Sequence, residues 1–236
     1  MRNLVKAISI IVCVVNIIGC GSKDIVGKDQ PKSEIRNVTD FNAVNISGSY
    51  NVVIQVGANQ NVSVTSNPNL LPYITTHVKG NTLYVDHKSS FALKPTGMQT
   101  INITVKNVKQ IELDGANSLD AQGINSDDLT LKFNGTTKGG LAGIVKDVKL
   151  ATTGDANIDA QKLVAEKVKV DISGSANIML NVTKKIDATI MGSGKVQYIG
   201  KPQVSQKIMG SGEITEAVTA PAAVSPATTP PAKSSK

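Results

Sequence analysis

The residues that could do chemistry in this chain are few and scattered. Asp120 and Asp159 each stand five positions after a glycine, Gly115 and Gly154. Glycosidic hydrolysis needs two carboxylates at a defined separation. Stacked strands two units apart would place this pair about 9.6 Å from one another, at the edge of the inverting range. The unit between them offers Gly140 at the same position and the following unit offers Met179, so no column gathers the three acids that an acidic metal site would need. Asp114 and Asp155 flank the same two glycines and read as solvated surface. His77 and His87 are the only histidines, placed where a hairpin-like return would bring them together. A metal site needs at least one more ligand, and Asp86 points to the opposite face of its strand from His87. No serine sits in a G-x-S-x-G turn, and the G-x-G pairs at Gly192 and Gly194 and at Gly210 and Gly212 precede no helix, as phosphate binding would require. These residues predict no catalytic centre, no metal and no cofactor.

Cys20 is the one residue with a specific chemical assignment. Arg2 and Lys6 precede an apolar run from Ala7 to Ile18, broken by Ser9 and Asn16, and the run ends at Gly19-Cys20. A basic end, a short apolar core and a small residue at its close make an export signal. The core is too short to span a bilayer, which takes about 20 apolar residues. Ile17-Ile18-Gly19-Cys20 resembles the bacterial lipobox, with Ile17 and Ile18 where leucine and alanine or serine are commoner. The resemblance implies that residues 1–19 are removed and that Cys20 carries lipid. Gly21 after it is compatible, by resemblance to enterobacterial lipoproteins, with transfer to an outer membrane. Cys13 leaves with the signal, so the mature chain has neither a free thiol nor a disulfide. Residues 20–34 are polar and contain Gly and Pro, which predicts a flexible tether.

The element that must position everything else is a repeat. Gly115, Gly135, Gly154, Gly174, Gly192 and Gly210 are separated, by subtraction, by 20, 19, 20, 18 and 18 residues. Such a fixed period is the signature of a stacked architecture. Six residues before each glycine stand Lys109, Leu129, Val148, Val168, Ile186 and Val204; two before stand Leu113, Phe133, Thr152, Ile172, Ile190 and Ile208. The intervening columns are mostly polar, and alternation with period two is a half-buried strand. After the glycine, a small-residue corner leads to a second strand with Leu119, Ile158, Ile178, Val196 and Ile214 at its fourth position. Glycine suits the corner because a sharp change of direction needs backbone conformations without a Cβ penalty. Asn157 and Asn177 take equivalent positions in adjacent units and read as corner hydrogen-bonding groups. The pattern predicts an all-β protein: a parallel β-helix, or β-solenoid, of about 18–20 residues per rung, its rungs about 4.8 Å apart.

Residues 35–216 form this domain, with a regular part at 107–216 and a broader, irregular part at 35–106. The irregular part has the same corner at Gly48, with Val44 and Ile46 before it and Val52 and Ile54 after. Between its strands, Asn67 to Ile74 reads as a short helix with Asn67 as N-cap and Pro68 at the first helical position. Lys88 to Gln99 reads as a polar loop. The irregular part is placed to cover the first rung, since an open stack end is a template for pairing with other chains. Residues 217–236, rich in Pro, Ala, Thr and Ser, have no apolar period and predict a disordered tail.

Charge narrows the partners. Taking Arg2 and Lys6 from the 25 basic residues leaves 23 against 18 acids, a net charge of about +5. A nucleic-acid binder shows a concentrated basic face with aromatic or arginine contacts. Here Arg36 is the only arginine after the signal, tryptophan is absent and lysines alternate with acids, as in Glu112 with Lys132. No nucleic-acid partner is expected. The expected partners are the membrane, through lipid on Cys20, and a polysaccharide or surface protein.

The units SGSYNVVI, TGDANIDA, SGSANIML, MGSGKVQY and MGSGEI, in such a stack and after a lipobox, resemble the bacterial family described as putative auto-transporter adhesin, head GIN domain. The named Gly, Ile and Asn correspond to Gly174, Ile178 and Asn177 and to Gly154, Ile158 and Asn157. The resemblance covers roughly Ile35 to Glu216 and implies a right-handed solenoid with an adhesive or envelope role. No stretch reads as an autotransporter barrel, which favours a lipid-anchored protein. The resulting expectation is a non-catalytic, lipid-anchored envelope module of adhesin type. Its alternatives are a β-helix polysaccharide lyase or hydrolase, or a purely structural lipoprotein.

Overall fold

The computed structural model describes residues 23–217 except Ser89. The export signal, Cys20 and all but the first residue of the expected tail lie outside the described residues. The described chain is nearly all β, with one turn of 3-10 helix at Leu71–Tyr73. In order, the strands are β1 (Lys23–Val26), β2 (Lys32–Ile35), β3 (Ala43–Gly48), β4 (Asn51–Val56), β5 (Asn61–Ser66), β6 (Ile74–Lys79), β7 (Thr82–His87), β8 (Phe91–Lys94), β9 (Thr100–Val105), β10 (Gln110–Ile199), β11 (Gln203–Gly210) and β12 (Glu213–Glu216).

β10 is one uninterrupted run of extended backbone that changes direction at its glycines. Its start pairs in parallel with β3, Gly115 opposite Gly48, and then with β4, Leu119 opposite Val52. Its end pairs in parallel with β11, Gly192 opposite Gly210, and with β12, Val196 opposite Ile214. Between those ends the corner glycines sit directly on one another. A Cβ added to Gly135 would lie 2.5 Å from the Gly115 carbonyl oxygen, one on Gly154 2.4 Å from that of Gly135, and one on Gly174 2.4 Å from that of Gly154. These corners have φ between +100° and +140°, which only glycine adopts without strain. Backbone crowding and backbone angle therefore select glycine at the same positions.

The apolar columns form one core, from Phe41 and Val44 at one end to Ile190 and Val196 at the other. The corner column two residues after the glycines also points inward, and it tapers: Tyr50, Asn117, Thr137, Ala156, Ala176, Gly194, Gly212. A Cβ on Gly194 would lie 2.9 Å from Ile190 Cγ2, so the inner space closes at that end.

In the column two before the glycines, Thr152 stands among Leu113, Phe133, Ile172 and Ile190. It is buried, and its Oγ1 has no hydrogen-bond partner. A buried hydroxyl without a partner loses its hydration and gains nothing in return. Thr152→Val keeps the shape and removes that cost, and is expected to raise stability by about 1 kcal/mol in urea titration.

The outer face carries ion pairs between successive units: Lys132 with Glu112 (3.7 Å), Lys146 with Asp127 (2.6 Å), Lys167 with Asp147 (3.5 Å) and Lys184 with Glu166 (2.6 Å). The hydrogen bond from Lys146 holds the Asp127 carboxyl below its ordinary value, and that from Lys184 does the same for Glu166. Both pairs are solvent-facing, where such contacts contribute little. They help register more than stability.

The N-terminal third departs from expectation in four ways. The sheet is mixed: β2 with β5, β5 with β9 and β6 with β7 are antiparallel, while β7 with β3 and β9 with β4 are parallel. The segment expected as a tether carries two strands, β1 paired with β8 and β2 with β5. The expected polar loop contains β8. The expected helix shrinks to Leu71–Tyr73, with Leu70 as its N-cap. Asn67 does not cap it because its side chain is committed elsewhere, donating to Asp29 O (2.7 Å) and Thr96 Oγ1 (2.9 Å) and accepting from Thr96 N (3.1 Å).

Candidate binding groove

The glycine corner that turns the chain also makes a concave surface. Where an inward residue stands two positions after each glycine, the residues one and three positions after it must point out. In successive units these outward pairs are Ser49 and Asn51, Ala116 and Ser118, Thr136 and Lys138, Asp155 and Asn157, Ser175 and Asn177, and Ser193 and Lys195. They line two adjoining hollows of about 430 and 560 Å³ that share Thr136 and Lys138. Six units at about 4.8 Å per step give a trough some 24 Å long. Pro95, Gly97 and Met98 wall its N-terminal end, where Met98 is 73% exposed.

The chemistry of the trough is hydroxyl, amide and ammonium. Its one carboxylate is Asp155, too few for acid–base cleavage of a glycosidic bond. The remaining candidates are not brought together. Asp120 and Asp159 are exposed and bonded within their own units, Asp120 Oδ1 accepting from Gln122 Nε2 (2.5 Å) and Asp159 Oδ1 from Gln161 N (3.0 Å). The expected meeting of the histidines is corrected: His77 lies in β6 opposite Tyr84 and stacks on it at 5.3 Å, whereas His87 lies opposite Ile74. The hairpin register separates them by three positions. Among the described residues no three His, Cys, Asp or Glu side chains gather in a metal-binding group.

Asn157 and Asn177 lie on the groove wall, exposed, and neither side chain makes a hydrogen bond among the described residues. The corner hydrogen bonding expected of them falls instead to Asn117, which is buried in the inward column. Its Oδ1 accepts from Tyr50 N (3.2 Å) and its Nδ2 donates to Asp114 O (3.1 Å). The available signal was its position two after Gly115, one step earlier than the other two asparagines.

Tyr50, beside Asn117, closes the floor of the trough. Burial pushes its phenol up to about 12, and the Asp86 carboxylate adds in the same direction. Because the folded value lies above the ordinary 10.0, this contribution to stability is complete below pH 10 and is lost as pH rises towards 12. The loss amounts to about 2–3 kcal/mol. Tyr50→Phe should remove that part of the alkaline slope, which urea titrations at about pH 9 and pH 12 would show.

These features place the chain. Residues 40–202 match the family described as putative auto-transporter adhesin, head GIN domain, and the chain belongs to that family. Among solved structures it is similar to a putative adhesin from Bacteroides fragilis, with 22% identity, a TM-score of 0.67, and coverage of 82% of this chain and 100% of that one. It is also similar to a putative adhesin from Parabacteroides merdae, with 19% identity, a TM-score of 0.55 and coverage of 83% and 99%. A third likeness is to a putative lipid binding protein from Parabacteroides distasonis, with 23% identity, a TM-score of 0.53 and coverage of 83% and 100%. At these identities the likeness speaks for the fold. No curated protein matches the chain.

Proposed function

We propose that this protein is a non-catalytic, adhesin-like module, held in the cell envelope by lipid on Cys20, most naturally at an outer membrane, and that its corner groove binds an extended polysaccharide. The coil that forms the groove is read as a solenoid, which the parallel registers at both ends of β10 and the stacked positive-φ corners support; its right hand is what the family resemblance implies. Family membership supports the adhesin-like role and the envelope location. Among the described residues no helix is long and apolar enough to cross a membrane.

One observation carries the ligand class. Hydroxyl, amide and ammonium groups recur along the trough once per unit, at about 4.8 Å, a spacing comparable to the rise of an extended glycan. Such a surface offers repeated, individually weak hydrogen bonds to repeated hydroxyls. The Tyr50 ring in the floor is buried, and the trough walls carry no aromatic ring among the described residues, so sugar stacking adds nothing and affinity must come from length.

The test is glycan-array binding by residues 21–236 without lipid, followed by size analysis of any bound glycan. Binding of long chains over short ones, with the glycan left intact and binding weakened at least several-fold by Asn157→Ala with Asn177→Ala, is the expected result. Cleavage would transfer the protein to the enzyme class. Binding unchanged in the double variant would move the ligand off the groove.

A further inference from the structure

We infer that the folded body lies directly on the bilayer that carries its lipid, seated through β1, β8 and the lysines around them. The inference rests on the proposed acylation of Cys20.

The chain between Cys20 and the fold is very short. β1 begins at Lys23, so only Gly21 and Ser22 intervene. Three Cα steps reach at most about 11 Å, and the headgroup layer on one side of a bilayer is roughly 5–7 Å thick. With acyl chains in the hydrocarbon, Lys23 is confined to the headgroup layer or just above it.

β1 is also fastened at both ends. Lys23 N donates to Ser90 O (3.1 Å) and Gly27 N to Lys94 O (2.8 Å), with Asp24 paired to Lys94. Asn69 then clasps the following turn: its Nδ2 donates to Val26 O (2.8 Å) and its Oδ1 accepts from Lys28 N (2.7 Å). Asn67 holds Asp29 O from the other side. Gly27 is buried there, and a Cβ on it would lie 2.1 Å from Asn67 Oδ1. The chain cannot pay out as a tether without breaking this clasp.

The exposed chemistry around β1 suits a phospholipid surface. Val26 is 54% exposed. Phe91, opposite Lys23, meets Tyr73 edge to face at 4.7 Å, and Lys88 Nζ lies 5.6 Å over the Tyr73 ring. Aromatic rings and lysine stems are the groups that settle at the headgroup level. Lys23, Lys28, Lys32 and Lys88 have no carboxylate partner among the described residues, and Asp29 is the one acid of this turn outside an ion pair. The occupant is therefore an anionic phospholipid surface. Because the chain runs from β8 straight into Pro95–Met98, which wall the groove, the groove's N-terminal end opens beside that membrane.

The test uses the full acylated chain in phosphatidylglycerol-containing vesicles, with one dye-labelled thiol placed on the folded body by Met98→Cys or by Met209→Cys. Quenching by headgroup-labelled lipid is expected to be several-fold greater at position 98 than at position 209, and Asn67→Ala with Asn69→Ala should bring it down towards the distal value. Hydrogen exchange gives a second readout that needs no substitution: the Lys23 and Gly27 amides should stay protected on the vesicle. Equal quenching at the two sites, or rapid exchange at both amides, in a protein whose mass shows acylated Cys20, overturns the seating and leaves the anchor intact. A mass showing unmodified Cys20 removes the anchor itself and the inference with it.

Discussion

Gly154→Ala is expected to cost more than about 4 kcal/mol, enough to leave much of the protein unfolded under native conditions. Two penalties combine. The backbone at Gly154 has φ +109°, a conformation that costs a residue with a side chain about 1–3 kcal/mol. The new Cβ would also lie 2.4 Å from the Gly135 carbonyl oxygen and 3.1 Å from its carbonyl carbon. Neither atom can rotate away, because Gly135 is itself seated on Gly115, where an added Cβ would lie 2.5 Å from the Gly115 carbonyl oxygen. Relief requires separating two units of the stack. Gly80→Ala is the control, since it carries φ +62° with nothing within 4 Å of its Cβ. It should cost only the left-handed penalty of about 1–2 kcal/mol. Guanidinium midpoints by far-UV circular dichroism would separate the two costs. Equal destabilisation would mean that backbone angle alone selects glycine at the corners.

That contrast also explains what could be read in advance. The corners were legible because angle and crowding demand the same residue every 18–20 positions, and the inward columns because period two survives along β10. The N-terminal third was harder, for physical reasons. Lys23–Val26 has no alternating pattern, and its partner, Phe91–Lys94, lies 68 residues away by subtraction, so nothing local announces the pairing. Asn67 fits an N-cap by type and position. Its burial between Asp29 and Thr96 depends on contacts more than 28 residues distant in either direction. The groove was half legible: Asn157 and Asn177 stood out as a repeated pair, but their exposure follows from the inward column one position earlier. After Tyr50 that column is built of small residues and one asparagine, so along the regular units it shows no strong hydrophobic signal.

The core prediction with the largest effect concerns Phe133, which is 1% exposed and is the largest fully buried side chain among the described residues. It stands two before Gly135, and Thr152 stands two before Gly154, so the seating of one glycine on the other brings the two into the same column in adjacent units. Their neighbours in that column are Leu113 and Ile172. A large ring beside a small threonine is a shared solution to one volume, and the threonine's unpartnered hydroxyl follows from it. Phe133→Ala empties that volume and should cost about 3–5 kcal/mol. Thr152→Ile alone adds bulk against an intact ring and should cost about 1–3 kcal/mol despite removing the hydroxyl. Phe133→Leu with Thr152→Ile redistributes the volume and should lie closer to wild type than the sum of Phe133→Leu and Thr152→Ile each made singly, with a coupling of about 1 kcal/mol or more. A double-mutant cycle in urea measures that coupling. Simple additivity would mean that the ring and the threonine fill separate spaces and that the stack tolerates size changes unit by unit.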